Sequence, residues 1–116
     1  MITLKTLPQA TAQEVFDQVA RHLLKQEARS VEVNSHCRYR YKKMKCAAGC
    51  LIGDDEYHPS MEENCWATLS RKQFNIPNEH MSLIQGLQTI HDSRDVCDWE
   101  SELKELATME DLKWNL

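Results

Sequence analysis

Three of the five cysteines, Cys37, Cys46 and Cys50, fall close together in the sequence, and their thiols are the first groups here that could do chemistry. A structural zinc site needs four tetrahedral donors. On a helix Cys46 and Cys50 would lie at i and i+4 and could both face Cys37, with His36, His58, Cys65 or His91 completing the set. The spacing is C-x8-C-x3-C, without the C-x2-C pair that marks a zinc ribbon or finger. Cysteine is also among the most often buried residue types and packs as a small hydrophobe. The thiols therefore read as free and buried, and no metal ligand or cofactor is assigned.

Nucleophilic catalysis needs a thiolate beside a base. Asn64-Cys65-Trp66-Ala67 resembles a fragment of the papain-type nucleophile signature. The Gly-Ser that should precede it is missing, and too little chain follows for the distant histidine and asparagine of that family. His91-Asp92 would suit a metal-dependent phosphohydrolase only with further ligands, and a histidine in the last turn of a helix is favoured there by the dipole. The chain has no phosphate-cradling glycine loop, no H-E-x-x-H and no G-x-S-x-G. No catalytic residue is assigned, and a Cys/His enzyme is the third reading of function.

The run Arg38-Tyr39-Arg40-Tyr41-Lys42-Lys43 has the composition of a single-strand nucleic acid platform, with aromatics to stack and cations to follow phosphates. Read as an extended segment, it puts Cys37, Tyr39 and Tyr41 on one side and Arg38, Arg40 and Lys42 on the other. The tyrosines then belong to the core, and the cations guard a solvated edge.

The elements that must position these groups are mostly helical. Thr11 to Glu14 has the form of a capping box, and Val15, Phe16, Val19, Ala20, Leu23 and Leu24 follow at helical spacing, predicting a helix over 11–26 with Glu14, Gln18, Arg21 and Lys25 wet. Val31 and Val33 permit a brief strand. Lys42 to Lys45 can turn the chain back, though without the Asn-Gly pair that favours a hairpin. Residues 46–52 fit a buried strand or a short buried helix, with helix preferred. Gly53 then reads as its C′ residue and Gly49 as a close approach by another backbone. Ser60 to Glu63 offers a second capping box ahead of Cys65, Trp66 and Leu69. Helices are expected from Asn78 to about Asp92 and from an Asp98 cap through Ala107. Thr108 to Asp111 is expected to restart the chain for a last turn carrying Leu112, Trp114 and Leu116. Ile2, Leu4 and Leu7 suit an extended arm against the core. The expected fold is α+β, mostly α: three main helices around a short central β-hairpin or strand-turn-helix unit, in one domain over 1–116.

Forty-one per cent apolar and 28% charged residues, with three glycines and three prolines, suit a globular helical domain and exclude disorder. Net charge is −4, so no overall basic field holds a nucleic acid. Residues 34–46 carry five cations and no acid, and residues 54–63 carry five acids and no base. These strips could pair within the molecule or present two faces to a partner. The opening MITLKTLPQA lacks the layout of a secretory leader, and the cysteine count is odd. With no apolar run long enough for a bilayer, the expectation is a cytoplasmic protein that does not enter membranes.

VARHLLKQ at the end of the first helix, CRYR, KCAAGCLIGDDEY and LQTIHD followed by a tryptophan together resemble a group of small proteins encoded by tailed phages and prophages. The likeness covers roughly 15–106, and its best marker is K-C-A-x-G-C-L-I followed by acids and a tyrosine, at Lys45 to Tyr57. It implies an origin and no reaction. Small acidic phage proteins without catalytic signatures commonly bind a host protein. The resemblance therefore implies a non-enzymatic accessory protein of the bacterial host cytoplasm that inhibits or redirects a host protein, an antiviral defence component first. The expected partner contacts are Arg38, Arg40, Lys42 and Lys43, with Asp54, Asp55 and Glu56 as a second patch. The alternative is a small nucleic-acid or nucleotide binder that uses the basic strip, with or without a structural zinc.

Overall fold

The computed structural model describes residues 1–32, 37–71 and 76–116. Among these residues the chain forms helix α1 (Ala12–Gln26), a hairpin of β1 (Arg40–Tyr41) and β2 (Met44–Lys45), and helices α2 (Trp66–Arg71), α3 (Met81–Ser93) and α4 (Trp99–Met109). This is the mostly helical α+β architecture expected, with α2 as a short addition. No described helix is long and apolar enough to cross a membrane.

Local chemistry explains α1 directly. The Thr11 hydroxyl accepts from the Glu14 amide at 3.1 Å, and the Glu14 carboxylate accepts from the Thr11 amide at 2.8 Å. Two otherwise orphaned amides are thereby satisfied. Val15, Phe16, Val19, Ala20 and Leu23 are buried along one face. That face packs against α3, α4 and the 3-10 turn Ala48–Leu51, and each fully buried Leu or Phe contributes about 1.5–3 kcal/mol.

Helix α3 starts at Met81, later than Asn78, because His80 before it adopts a left-handed conformation (φ 63°) and its Nε2 lies 2.7 Å from the Ala10 carbonyl. Leu83, Ile84, Leu87 and Ile90 form the expected buried face. The Asp98 side chain makes no capping bond to α4; the chain enters through a 3-10 turn, Val96–Asp98. Helix α4 continues to Met109, so Thr108 lies inside it and starts nothing new. Beyond it the apolar tail turns back, and the Trp114 ring meets Phe16 edge-on at 6.2 Å. Leu4 and Leu7 are buried as expected, but the arm is a turn followed by a 3-10 turn, Leu7–Gln9, and not an extended segment.

The central stretch required tertiary information. Residues 46–52 hold a 3-10 turn, Ala48–Leu51, in place of an α-helix or strand, and Gly53 has no positive φ. Gly49 does mark a close backbone approach: a Cβ there would lie 2.2 Å from the Tyr39 carbonyl oxygen. The hairpin pairs Arg40 with Lys45 and Tyr41 with Met44, and Lys42 takes the left-handed conformation (φ 57°) that Asn or Gly would adopt more cheaply. Val31 bridges Cys37 in antiparallel fashion; Val33 and His36 lie outside the described residues. Ser60 caps no helix. Pro59–Met61 is a 3-10 turn in which the His58 Nδ1 accepts from the Ser60 amide, and of the trio Cys65, Trp66 and Leu69 only the last two are buried.

Three glutamines of α1 hold the rest of the chain to it. The Gln18 side-chain amide exchanges both hydrogen bonds with the backbone of Ile2 (2.7 and 2.9 Å). Gln26 does the same with Lys45 (3.0 and 2.9 Å), and Gln13 with Lys113 (2.8 and 2.9 Å). Gln18, expected to be wet, is half-buried by this role. The chain start, the central hairpin and the C-terminal tail are thus each clipped to one helix.

Candidate functional site

The acidic connection after Gly53 folds onto the basic strip, so much of the opposite charge pairs inside the molecule. The Glu62 carboxylate accepts from the Tyr39 amide (2.9 Å), the Arg40 amide (3.2 Å) and the Tyr57 hydroxyl (2.6 Å), and it lies 3.8 Å from Arg38 Nε. Its side chain is only 7% exposed, which makes it the anchor of the CRYR backbone. Arg40 pairs with Asp54 at 2.8 Å, donates to the Ile52 carbonyl at 2.7 Å and sits 4.9 Å from the centre of the Tyr57 ring. Arg38 also reaches Glu32 at 3.4 Å. Glu56 accepts from the amides of Leu4, Lys5 and Gly53 at 3.0, 3.0 and 2.7 Å, tying the N-terminal arm to the central segment.

Of the seven expected contact residues, Arg38, Arg40, Asp54 and Glu56 are therefore engaged internally, although the Asp54 side chain stays 89% exposed. Lys42, Lys43 and Asp55 are exposed. Lys42 and Lys43 form the tip of the hairpin, with the Lys42 ammonium 5.4 Å from the Tyr41 ring centre. Tyr39 is buried and donates its hydroxyl to the Asn64 carbonyl, so it offers no face on which a base could stack.

Four of the five thiols divide between two depressions, and Cys97 is exposed and lines neither. A cleft of about 540 Å3 is lined by Cys37, Cys46, Cys65, Trp66, Gln88 and Asp92 among others. Here the donor atoms of Cys37, His91 and Asp92 lie within 4.8 Å of one another. His91 is fully buried, its ring stacked on Trp99 at 5.7 Å. Its Nε2 is 2.9 Å from the Ser30 amide and must accept from it, so the ring proton is on Nδ1, which donates to Asp92 Oδ1 at 2.7 Å. Both nitrogens are committed, leaving no lone pair for a metal. Burial, reinforced by the Asp92 carboxylate, pushes the Cys37 thiol up to about 11, so it keeps its proton at neutral pH.

Cys46 is also pushed up by burial; its sulfur accepts from the Gly49 amide at 3.3 Å. Cys50 is pushed up to about 12 by burial and donates to the Ala47 carbonyl at 3.1 Å. The Cys50 amide donates to the Cys46 carbonyl at 3.2 Å, yet the two thiols part: Cys46 lines the first cleft and Cys50 a second one, and the three-cysteine grouping with Cys37 does not form. Cys65 behaves differently: it is exposed, and the nearby Thr68 hydroxyl, 3.1 Å away, lowers its pKa.

The second depression is a groove of about 870 Å3 between α1 and the N-terminal arm. Ile2, Ala10 and Cys50 line it together with Arg21, Lys25 and Lys45. Sequence reasoning treated Arg21 and Lys25 as an ordinary wet face. The available signal was their i, i+4 spacing, which places like charges side by side and destabilises the helix by a few tenths of a kcal/mol. Comparison with protein-family models, with curated proteins and with solved structures finds no match.

Proposed function

We propose that this chain is a non-enzymatic accessory protein of phage type that acts by docking onto a host protein, an antiviral defence component foremost, and so inhibiting or redirecting it. The observation that carries this reading is the internal commitment of the thiol, imidazole and carboxylate that meet in the first cleft; the exposed Cys65 thiol has beside it the Thr68 hydroxyl, which is no general base. The Cys37 thiol, the Asp92 carboxylate and both His91 nitrogens satisfy one another or the Ser30 amide. What faces solvent instead is a two-lysine knob at the hairpin tip with the exposed Asp55 after Gly53. Exposed charges of this kind steer association and select among partners more than they set affinity.

The test is affinity capture from host lysate with the unaltered chain and with a Lys42→Glu, Lys43→Glu variant. A host protein retained in near-stoichiometric amount by the first and lost from the second is expected. Absence of any stoichiometric partner overturns the reading. Tight, steeply salt-dependent binding of single- or double-stranded nucleic acid would replace it with the nucleic-acid alternative.

A further inference from the structure

The groove along α1 carries a charge arrangement that its own structural role does not require. Arg21 and Lys25 are exposed at i, i+4, and among the described residues neither makes an ion pair. Lys45 joins them from β2, held there by the Gln26 clasp, and its only ion pair among the described residues is a 3.9 Å contact with the solvent-exposed Asp54. Three cations thus converge on one end of the groove in a protein whose net charge is −4.

The carboxylates at the other end are occupied. Glu14 closes the capping box, and Asp17 accepts from Gln13 at 2.8 Å and from Asn115 at 3.3 Å. Between the two ends Ile2 and Cys50, both bound through their backbones to Gln18, give an apolar wall, and Ala10 extends it beside the capping box.

We infer that this groove is a docking site for an acidic, extended segment of a protein partner, with the acidic residues of that segment over Arg21, Lys25 and Lys45. The inference rests on the protein-binding reading above and names the partner chemistry for a second surface. The stripe from Glu14 to Lys25 spans about 17 Å at the helical rise, the length of about five extended residues. Charge complementarity selects the occupant. A nucleic acid backbone following the groove would meet Glu14 and Asp17, and the one aromatic ring in its lining, His22, is half-buried with its Nε2 2.9 Å from the Lys45 carbonyl, leaving no Phe, Tyr or Trp platform for bases to stack on. A polypeptide can be acidic at one end and neutral at the other, and can place an apolar side chain against Ile2 and Ala10.

Fluorescence anisotropy with three labelled probes tests this: a Glu/Asp-rich decapeptide, a Lys/Gln-rich decapeptide and a single-stranded decanucleotide. The acidic peptide is expected to bind saturably and about tenfold more weakly when salt is raised from low to above physiological strength. Arg21→Glu with Lys25→Glu, at exposed positions, is expected to weaken it at least about tenfold, whereas Lys42→Glu with Lys43→Glu leaves it unchanged. If circular dichroism shows the first variant to be unfolded, Arg21→Gln with Lys25→Gln takes its place. No binding of the acidic peptide, tighter binding of the oligonucleotide or of the basic peptide, or sensitivity only to the hairpin variant overturns the inference. If the peptide fails to bind while a host protein is still captured in a Lys42- and Lys43-dependent way, the groove assignment falls and the protein-binding reading stands. If the peptide binds the groove but no host protein is captured, the groove assignment survives alone.

Discussion

Gly49→Ala separates a local from a tertiary account of the central segment. On propensity alone the change should help, since alanine in a helical turn is favoured over glycine by about 0.5–1 kcal/mol. The packing predicts the opposite. The new Cβ would lie 2.2 Å from the Tyr39 carbonyl oxygen, 3.0 Å from its carbon and 3.2 Å from its Cα, all backbone atoms that cannot rotate away. Tyr39 cannot retreat cheaply either, because its amide is held by Glu62 at 2.9 Å, its carbonyl accepts from Cys46 at 3.3 Å and its hydroxyl is bound to Asn64. Relief requires parting the 3-10 turn from the strand segment, which breaks at least one buried hydrogen bond and opens the core around Tyr39 and Trp66. Overpacking of a well-filled core costs about 1–3 kcal/mol, and a lost buried hydrogen bond adds about 1–3 kcal/mol. The expected destabilisation is therefore about 2–6 kcal/mol, a large part of the roughly 5–15 kcal/mol available to a domain. Urea unfolding followed by tryptophan fluorescence measures it. Gly86→Ala is the control: its Cβ would meet only the flexible end of Leu106 at 3.0 Å, inside α3, and it should change stability by about 1 kcal/mol or less. A Gly49→Ala protein as stable as the parent, or more so, would refute the close-approach argument.

Glu62→Gln keeps the shape of the side chain but supplies an amide nitrogen where two oxygens now accept from Tyr39, Arg40 and Tyr57; a loss of about 1–3 kcal/mol is expected in the same assay, with little change for Asp55→Asn. Thiol titration of the native protein with an aromatic disulfide at neutral pH should label the exposed Cys65 and Cys97 early, while Cys37, Cys46 and Cys50 react only on unfolding. Folded thiols raised to about 11 at Cys37 and about 12 at Cys50, against an ordinary 9.0, hold their protons more tightly than the unfolded chain does. Their contribution to stability is complete below pH 9 and is lost as pH rises through those values, so alkaline unfolding should soften in Cys37→Ser and Cys50→Ala variants compared at equal starting stability. Trp114→Ala removes the ring that meets Phe16 at 6.2 Å and lies under Lys104 at 5.3 Å; since Trp114 is half-buried, about 2 kcal/mol is expected by thermal unfolding, less than for a fully buried tryptophan.

Legibility in the sequence follows the range of the interactions concerned. Helix α1 was readable to within a residue because its cap and its apolar face are set by neighbours three and four positions away. The apolar faces of α3 and α4 were readable for the same reason, whereas their starts depend on His80 and on the turn at Val96–Asp98, which local preference does not announce. The hairpin lacked its usual turn residues because Gln26 fixes Lys45 from outside and allows a lysine to take the strained position. At the candidate site, the two opposite charge strips were visible, but nothing in the composition told which members would be consumed. Glu62 and Glu56 bind backbone amides, and no side-chain pattern signals that use. The spacing of Cys65, Trp66 and Leu69 suits one buried side, yet Cys65 precedes the first turn of α2 and is exposed.

The glutamine clasps on α1 bear on the order in which the chain assembles. Gln18 reaches 16 residues back to Ile2 and Gln26 reaches 19 residues ahead to Lys45, whereas Gln13 must wait for Lys113, 100 residues away. Loop closure grows with the logarithm of loop length, so the long closure costs about 1.6 kcal/mol more than the shorter ones. On a ribosome the first two clasps can close once the hairpin has emerged, leaving α1 with its arm and hairpin attached but Phe16 still uncovered on the C-terminal side. The segment around Lys113 then docks after the arm and the hairpin, and its amides should exchange with solvent earlier than theirs, so the stretch that covers Phe16 is also the one that lets go more easily.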